Sequence, residues 1–178
     1  MKNLYKYIVF DAACMSENID KAKELCSKFF SLYRGDKENQ LASVAPYVFD
    51  ADECVELQDW FFKEGWSNSW GVIIYTTQDL KQIRKHLRRF LMVMTEEKKE
   101  LYFRFYDPRV LRVFLPTCDA KQLREFFGPV DYFVCEDENP ETGLVLSTED
   151  RKLVSESILK EEVRQFSPKA KKRGFLFF

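Results

Sequence analysis

The densest grouping of side chains able to do chemistry is Tyr102-Phe103-Arg104-Phe105-Tyr106-Asp107-Pro108-Arg109, where large aromatics alternate with ions. The arginines of the helix before this run, Arg84, Arg88 and Arg89, are natural mates for Asp107 through bidentate guanidinium–carboxylate pairs, in a charge network that fixes the sheet end or a groove that receives a partner's backbone. Charge carried inward costs several kcal/mol unless paired, so Arg104 and Asp107 need partners if they approach the interior. A second grouping, Lys81, Arg84, Lys85, His86, Arg88 and Arg89, makes a cationic stretch able to touch phosphates or acidic side chains. His86 is the single histidine, and no Ser or Cys nucleophile is evidently supplied to it. It sits at the shoulder of its helix's apolar stripe, so it reads as a boundary or hydrogen-bonded structural residue. Cys14 is the alternative nucleophile, with no identified cation beside it to hold a thiolate.

Enzyme templates fail. GxGxxG, GxxxxGK[ST], GxSxG and HExxH are all missing, and six glycines leave little material for a phosphate-cradling loop. Cys14, Cys26, Cys54, Cys118 and Cys135 form no CxxC pair, an odd-numbered set read as reduced cytosolic thiols that mostly fill the core. With a lone histidine and widely spaced cysteines, neither a metal nor a cofactor is expected.

These residues must be positioned by something. The 178 residues suffice for one domain, and 46% hydrophobic with 16% aromatic content can bury a real core. A formal charge of −1 supplies no overall field toward nucleic acid or an anionic bilayer. No apolar run is long enough to span a membrane, and polar residues interrupt the short apolar stretches of the N-terminus, so neither export by a signal peptide nor insertion is expected. Patterning predicts strands over 5–13, 45–49, 70–75, 101–106, 130–135 and 144–146. It predicts helices over 18–33, 54–63, 78–94, 108–114 and 119–127, and a last one capped by Ser147 or Thr148 and running to about 165. Thr77 is placed to cap the helix that follows it, and the 101–106 strand is expected inside the sheet. The alternation specifies an α/β fold, a mixed, layered sheet flanked by helices with right-handed crossovers wherever strands run parallel. Residues 1–135 form the core, and 136–178 form a hairpin, helix and basic, aromatic tail packed on the same domain. Exposed apolar ends can dock in a groove, which makes Phe175, Phe177 and Phe178 of that tail candidate contact residues.

The run Phe103-Arg104-Phe105-Tyr106-Asp107-Pro108-Arg109-Val110-Leu111 resembles the adaptor, or effector-chaperone, family of bacterial type VI secretion systems. His86-Leu87-Arg88-Arg89-Phe90-Leu91 before it and Phe126-Phe127-Gly128-Pro129 after it fit in order, as do Tyr7-Ile8-Val9-Phe10-Asp11-Ala12-Ala13 and Trp70-Gly71-Val72. The resemblance covers roughly 5–135. It implies a cytoplasmic, non-enzymatic protein that holds the N-terminal region of a toxic effector and helps load it, transiently, onto the spike. It singles out His86, Arg88, Arg89, Arg104, Asp107 and Arg109 as partner-binding residues, with membrane and nucleic acid excluded as partners. The alternatives are a nuclease-like or phosphotransfer enzyme using Asp107, His86 and the arginines, or a nucleic-acid-binding module built on the basic helix 81–89.

Overall fold

Strand β1 (Tyr5–Asp11) sets the architecture, because its apolar residues point alternately to two separate cores. A computed structural model describes residues 4–94 and 97–169. Ile8 and Phe10 join one core, while Tyr7 and Val9 join the other. Both faces of the strand are therefore covered, as its unbroken apolar character requires.

Seven strands form the sheet in the order β2-β3-β1-β4-β7-β8-β9. The others are β2 (Phe29–Ser31), β3 (Pro46–Asp50), β4 (Gly71–Thr76), β7 (Val130–Glu136), β8 (Thr142–Glu149) and β9 (Lys152–Leu159). One face carries α1 (Ala12–Met15), α2 (Asn18–Leu25), α4 (Val55–Trp60) and α8 (Lys160–Gln165), through Met15, Ile19, Leu57 and Val163. The helix α4 continues into a wider π-helical turn over Phe61–Gly65. The opposite face carries α5 (Leu80–Leu87), α6 (Pro108–Phe114) and α7 (Ala120–Phe127), through Ile83, Leu111, Leu123 and Phe126. A short α3 (Asp36–Gln40) buries nothing, and a separate hairpin pairs β5 (Met92–Met94) with β6 (Glu100–Tyr102).

The layered α/β arrangement is the one the sequence predicts, but every strand pairing is antiparallel, so the mixed directions and parallel crossovers are replaced by antiparallel connections. Four predicted elements are corrected. The 18–33 helix stops at Leu25, and Phe29 and Phe30 join the sheet, one facing each core. The 78–94 helix ends at Leu87, followed by a 3-10 turn over Arg88–Phe90 and then β5. Asp79, not Thr77, caps it, accepting from the Gln82 backbone N–H at 2.8 Å while Gln82 returns the bond. The predicted last helix is mostly β9: Asp150 and Arg151 both adopt positive φ (47° and 64°), the two-residue geometry that turns a hairpin. Finally, 101–106 is not a sheet strand, because β6 ends at Tyr102 and 103–106 is a loop.

The expectation of five reduced thiols is also corrected. Cys26, just past α2, and Cys54, just before α4, form a disulfide with Cα atoms 5.6 Å apart. Cys14, Cys118 and Cys135 are free thiols. No helix among the described residues is long and apolar enough to cross a membrane.

Candidate functional site

The loop 103–107 alternates in two directions, and that alternation builds the site. Phe103 and Phe105 turn inward onto Phe126, at ring separations of 6.2 and 5.8 Å, and Phe103 also meets Phe114 at 4.5 Å. Two aromatic anchors leave Arg104 between them only the outward direction, toward the end of β1. There Asp11, fully buried, caps α1 by accepting from the Ala13 N–H at 3.0 Å. Arg104 meets it with two donors, Nε at 3.0 Å and a close Nη2.

Asp107 closes the other half. It is 3% exposed and caps α6, accepting from the Arg109 backbone N–H at 2.9 Å, and Pro108 occupies the first turn where its missing N–H costs nothing. The Arg109 side chain returns to the same carboxylate through Nε at 3.0 Å and Nη2 at 2.7 Å. Arg104 Nη2 lies 3.9 Å from Asp107, so the two arginines and two aspartates are one network. Cys14 completes it, with Arg104 Nη2 at 3.1 Å and Arg109 Nη2 at 3.7 Å from Sγ. Burial would lower the Arg104 pKa, but the hydrogen bond and charge of Asp11 outweigh it and raise it. The Asp107 hydrogen bond raises that of Arg109. Burial, then Asp11, pushes the Cys14 thiol up despite Arg104, so it stays protonated at neutral pH and is a poor nucleophile.

Ligand atoms of Asp11, Cys14 and Asp107 lie within 4.8 Å of one another, a spacing that suits a metal ion. Both carboxylates, however, already accept charge-assisted bonds from guanidinium groups, and a divalent ion would have to displace Arg104 and Arg109. Chemically the cluster is a locked ionic clamp tying β1 to α6.

A family model described as "Domain of unknown function (DUF4123)" matches residues 6–125. The chain belongs to the DUF4123 family. No curated protein and no solved structure matches the chain. Every member of the Asp11–Arg104–Asp107–Arg109 clamp lies inside the DUF4123 region, and β7, β8, β9 and α8 lie beyond it.

The remaining candidates separate from the clamp. His86 is buried on the DUF4123 region's α5, with Nε2 2.8 Å from the Phe126 carbonyl oxygen and its ring 5.1 Å from that of Phe90. Gly128 packs so tightly against it that an added Cβ would sit 2.3 Å from His86 Cε1. These contacts hold the imidazole against the end of α7. Arg88 is half-buried and Arg89 exposed, its guanidinium 5.9 Å from the Phe90 ring centre. Phe175, Phe177 and Phe178 lie outside the described residues.

Two buried carboxylates, one in the clamp and one apart from it, carry little local signal. Asp11 stands 93 residues from the arginine it binds, so only the tertiary fold reveals the pair, although its position at the end of an apolar strand marks it as a cap. Glu136, at the end of β7, is buried and accepts from the Ser67 N–H at 2.6 Å, the Ser69 N–H at 3.1 Å and the Ser69 hydroxyl at 3.0 Å. It holds a turn whose Ser67 and Ser69 both carry positive φ.

Proposed function

We propose that this protein is a non-enzymatic adaptor that binds the N-terminal region of a cognate type VI secretion effector in the cytoplasm and helps load it onto the spike. The observation that carries this reading is the state of the clamp, which holds Arg104, Asp107 and Arg109 of the resemblance. Its carboxylates are saturated by guanidinium groups and its thiol is held protonated, so the grouping most suited to chemistry is fitted for rigidity. His86 adds to this, because its imidazole is packed between Phe90, Gly128 and the Phe126 carbonyl. Family membership over 6–125, together with the RFYDPRVL resemblance, supports an adaptor over the phosphoester or nucleic-acid readings.

Exposed apolar surface supports the same reading. Val113 on α6 is solvent-exposed beside a groove of about 540 Å3, lined also by Arg109, Val110, Phe114 and Thr117. The test is co-expression with the products of neighbouring genes, followed by purification on a tag carried by this chain. A stable complex with a toxin, dependent on the toxin's N-terminal region, is expected. Metal-dependent turnover of phosphoester or nucleic-acid substrates by the purified chain, abolished in Asp107→Ala, would replace the adaptor reading with an enzyme.

A further inference from the structure

Hairpin β5–β6 exposes most of its apolar side chains. Met94, Leu101 and Tyr102 are 62%, 51% and 52% exposed, and Met92 and Val93 are also open. A two-stranded ribbon with no buried face gains little stability of its own, which makes this surface a burden unless something covers it. The Tyr102 ring meets Tyr33 at 6.3 Å, which brings the hairpin beside the segment that leads into Arg34. Chain continuity does the same at the other end, because Arg88 and Arg89 lead into β5.

Arg84 and Arg88 are four residues apart, one above the other on the same side of α5 and its 3-10 extension. Arg84 is fully engaged. Its Nε donates to the Ser31 carbonyl at 2.8 Å and Nη2 to the Tyr33 carbonyl at 3.3 Å, its guanidinium lies over Phe30 at 4.9 Å, and Glu38 is 3.6 Å away. Arg88 contrasts with it: Nη1 is buried with no hydrogen-bond partner among the described residues. Burial first, then the charges of Arg34 and Arg84, lower the Arg88 pKa, and Glu38 offsets them only in part. The guanidinium groups of Arg34 and Arg84 thus both act on Arg88, with the carboxylate of Glu38 opposing them. A buried N–H left unmet beside surplus positive charge is stabilised by an incoming anion.

We propose that the β5–β6 hairpin and the Arg34–Arg84–Arg88 cluster form one docking surface for a polypeptide segment that is both apolar and acidic. Its apolar side chains cover Met92, Met94, Leu101 and Tyr102, and a carboxylate draws the half-buried Arg88 guanidinium outward and pairs with it. Charge complementarity selects the acidic character, and the apolar hairpin selects a polypeptide over a phosphate backbone. The surface rests on the adaptor reading only for the identity of its natural occupant. The groove along α6 and the outer edge of β9 are the competing faces.

Two experiments test the proposal. In the first, the full chain is titrated with a fluorescein-labelled amphipathic peptide bearing leucines on one face and glutamates on the other, and with its lysine counterpart. The acidic peptide is expected to bind at least tenfold more tightly, and Arg88→Glu or Met94→Asp to weaken it at least tenfold with the melting temperature retained. Equal binding of the two peptides, indifference to both substitutions, or tighter binding of a single-stranded oligonucleotide would overturn the proposal. In the second, benzoylphenylalanine replaces Tyr102, Val113 or Glu156 in the complex with the co-purifying effector. Crosslinking from position 102 is expected. Crosslinking from 113 or 156 alone would overturn this face while leaving the adaptor reading intact. Should no effector co-purify, the adaptor reading fails, and the peptide titration still decides the surface.

Discussion

Replacing Asp107 by alanine removes two kinds of interaction at once, and their sizes follow from the geometry. The α6 cap, a 2.9 Å bond from the Arg109 N–H, accounts for about 1 kcal/mol. The Arg109 side chain that grips the same carboxylate is 59% exposed, so solvent screens that pair to about 0.5–1 kcal/mol. The more distant Arg104 at 3.9 Å, itself 40% exposed and still held by Asp11, adds little. The expected loss is about 2 kcal/mol, below the roughly 3–5 kcal/mol of breaking a fully buried pair, because both guanidinium groups reach water. For a chain of this size that corresponds to a Tm lowered by about 4–8 °C. Asp107→Asn keeps an oxygen to cap the helix and should lose about half as much. Scanning calorimetry of the three proteins at pH 7 decides it. An alanine variant melting within a degree of the parent, or an asparagine variant as damaged as alanine, would refute the reasoning.

Other consequences are equally open to measurement. Burial lowers the Lys6 pKa from 10.5 to about 8, with Asp52 opposing, so between pH 8 and 10.5 the unfolded chain binds more protons than the native one and stability rises with pH. Lys6→Met should abolish that rise, worth at most about 3 kcal/mol, in urea titrations at pH 7.5 and 10; an unchanged rise would place the amine in water. Alkylation of unfolded, unreduced protein should label three thiols by mass spectrometry, and five would mean that Cys26 and Cys54 are unpaired. Gly128 holds φ at +46° against His86, so Gly128→Ala should cost at least about 2 kcal/mol in chemical denaturation. The cost should shrink when His86 is also alanine, and a fully additive double variant would contradict the contact.

Legibility in the sequence followed the range of the interactions. Strand β4 and helices α4, α6 and α7 stand close to their expected places, since a run such as Val72-Ile73-Ile74 or a Gly128-Pro129 stop carries its structure locally. Elements whose identity depends on distant pairing were misread. Phe29, Phe30 and Tyr33 continue the 3.6-residue stripe of α2 yet leave the helix, because β3 offers Phe29 and Phe30 a strand partner and an apolar contact on each face. Leu153, Val154 and Ile158 look helical among their charged neighbours, and what makes them a strand is a turn through Arg151 at positive φ, a conformation that residue type does not announce.

The site was legible in the same measure. Arg104, Asp107 and Arg109 stand out in their run, and the need of Arg104 and Asp107 for partners follows from the cost of unpaired charge, but the expected mates of Asp107, the helix arginines, are replaced by Arg109 and Arg104, and the sequence names neither Asp11 as the partner of Arg104 nor the loop that replaces the expected strand. His86, read from the sequence at the shoulder between buried and exposed, is buried, and the Phe126 carbonyl beside its Nε2 lies 40 residues away. Arg88 and Arg89 look alike in sequence, and only the fold separates the one whose buried Nη1 has no partner among the described residues from the one in solvent.

Isothermal titration of the purified chain with the isolated N-terminal region of the toxin it is proposed to carry tests the central claim most directly. The account predicts saturable binding that needs no other part of the toxin and no metal. Absence of binding to that region, or binding confined to the toxic domain, would contradict it.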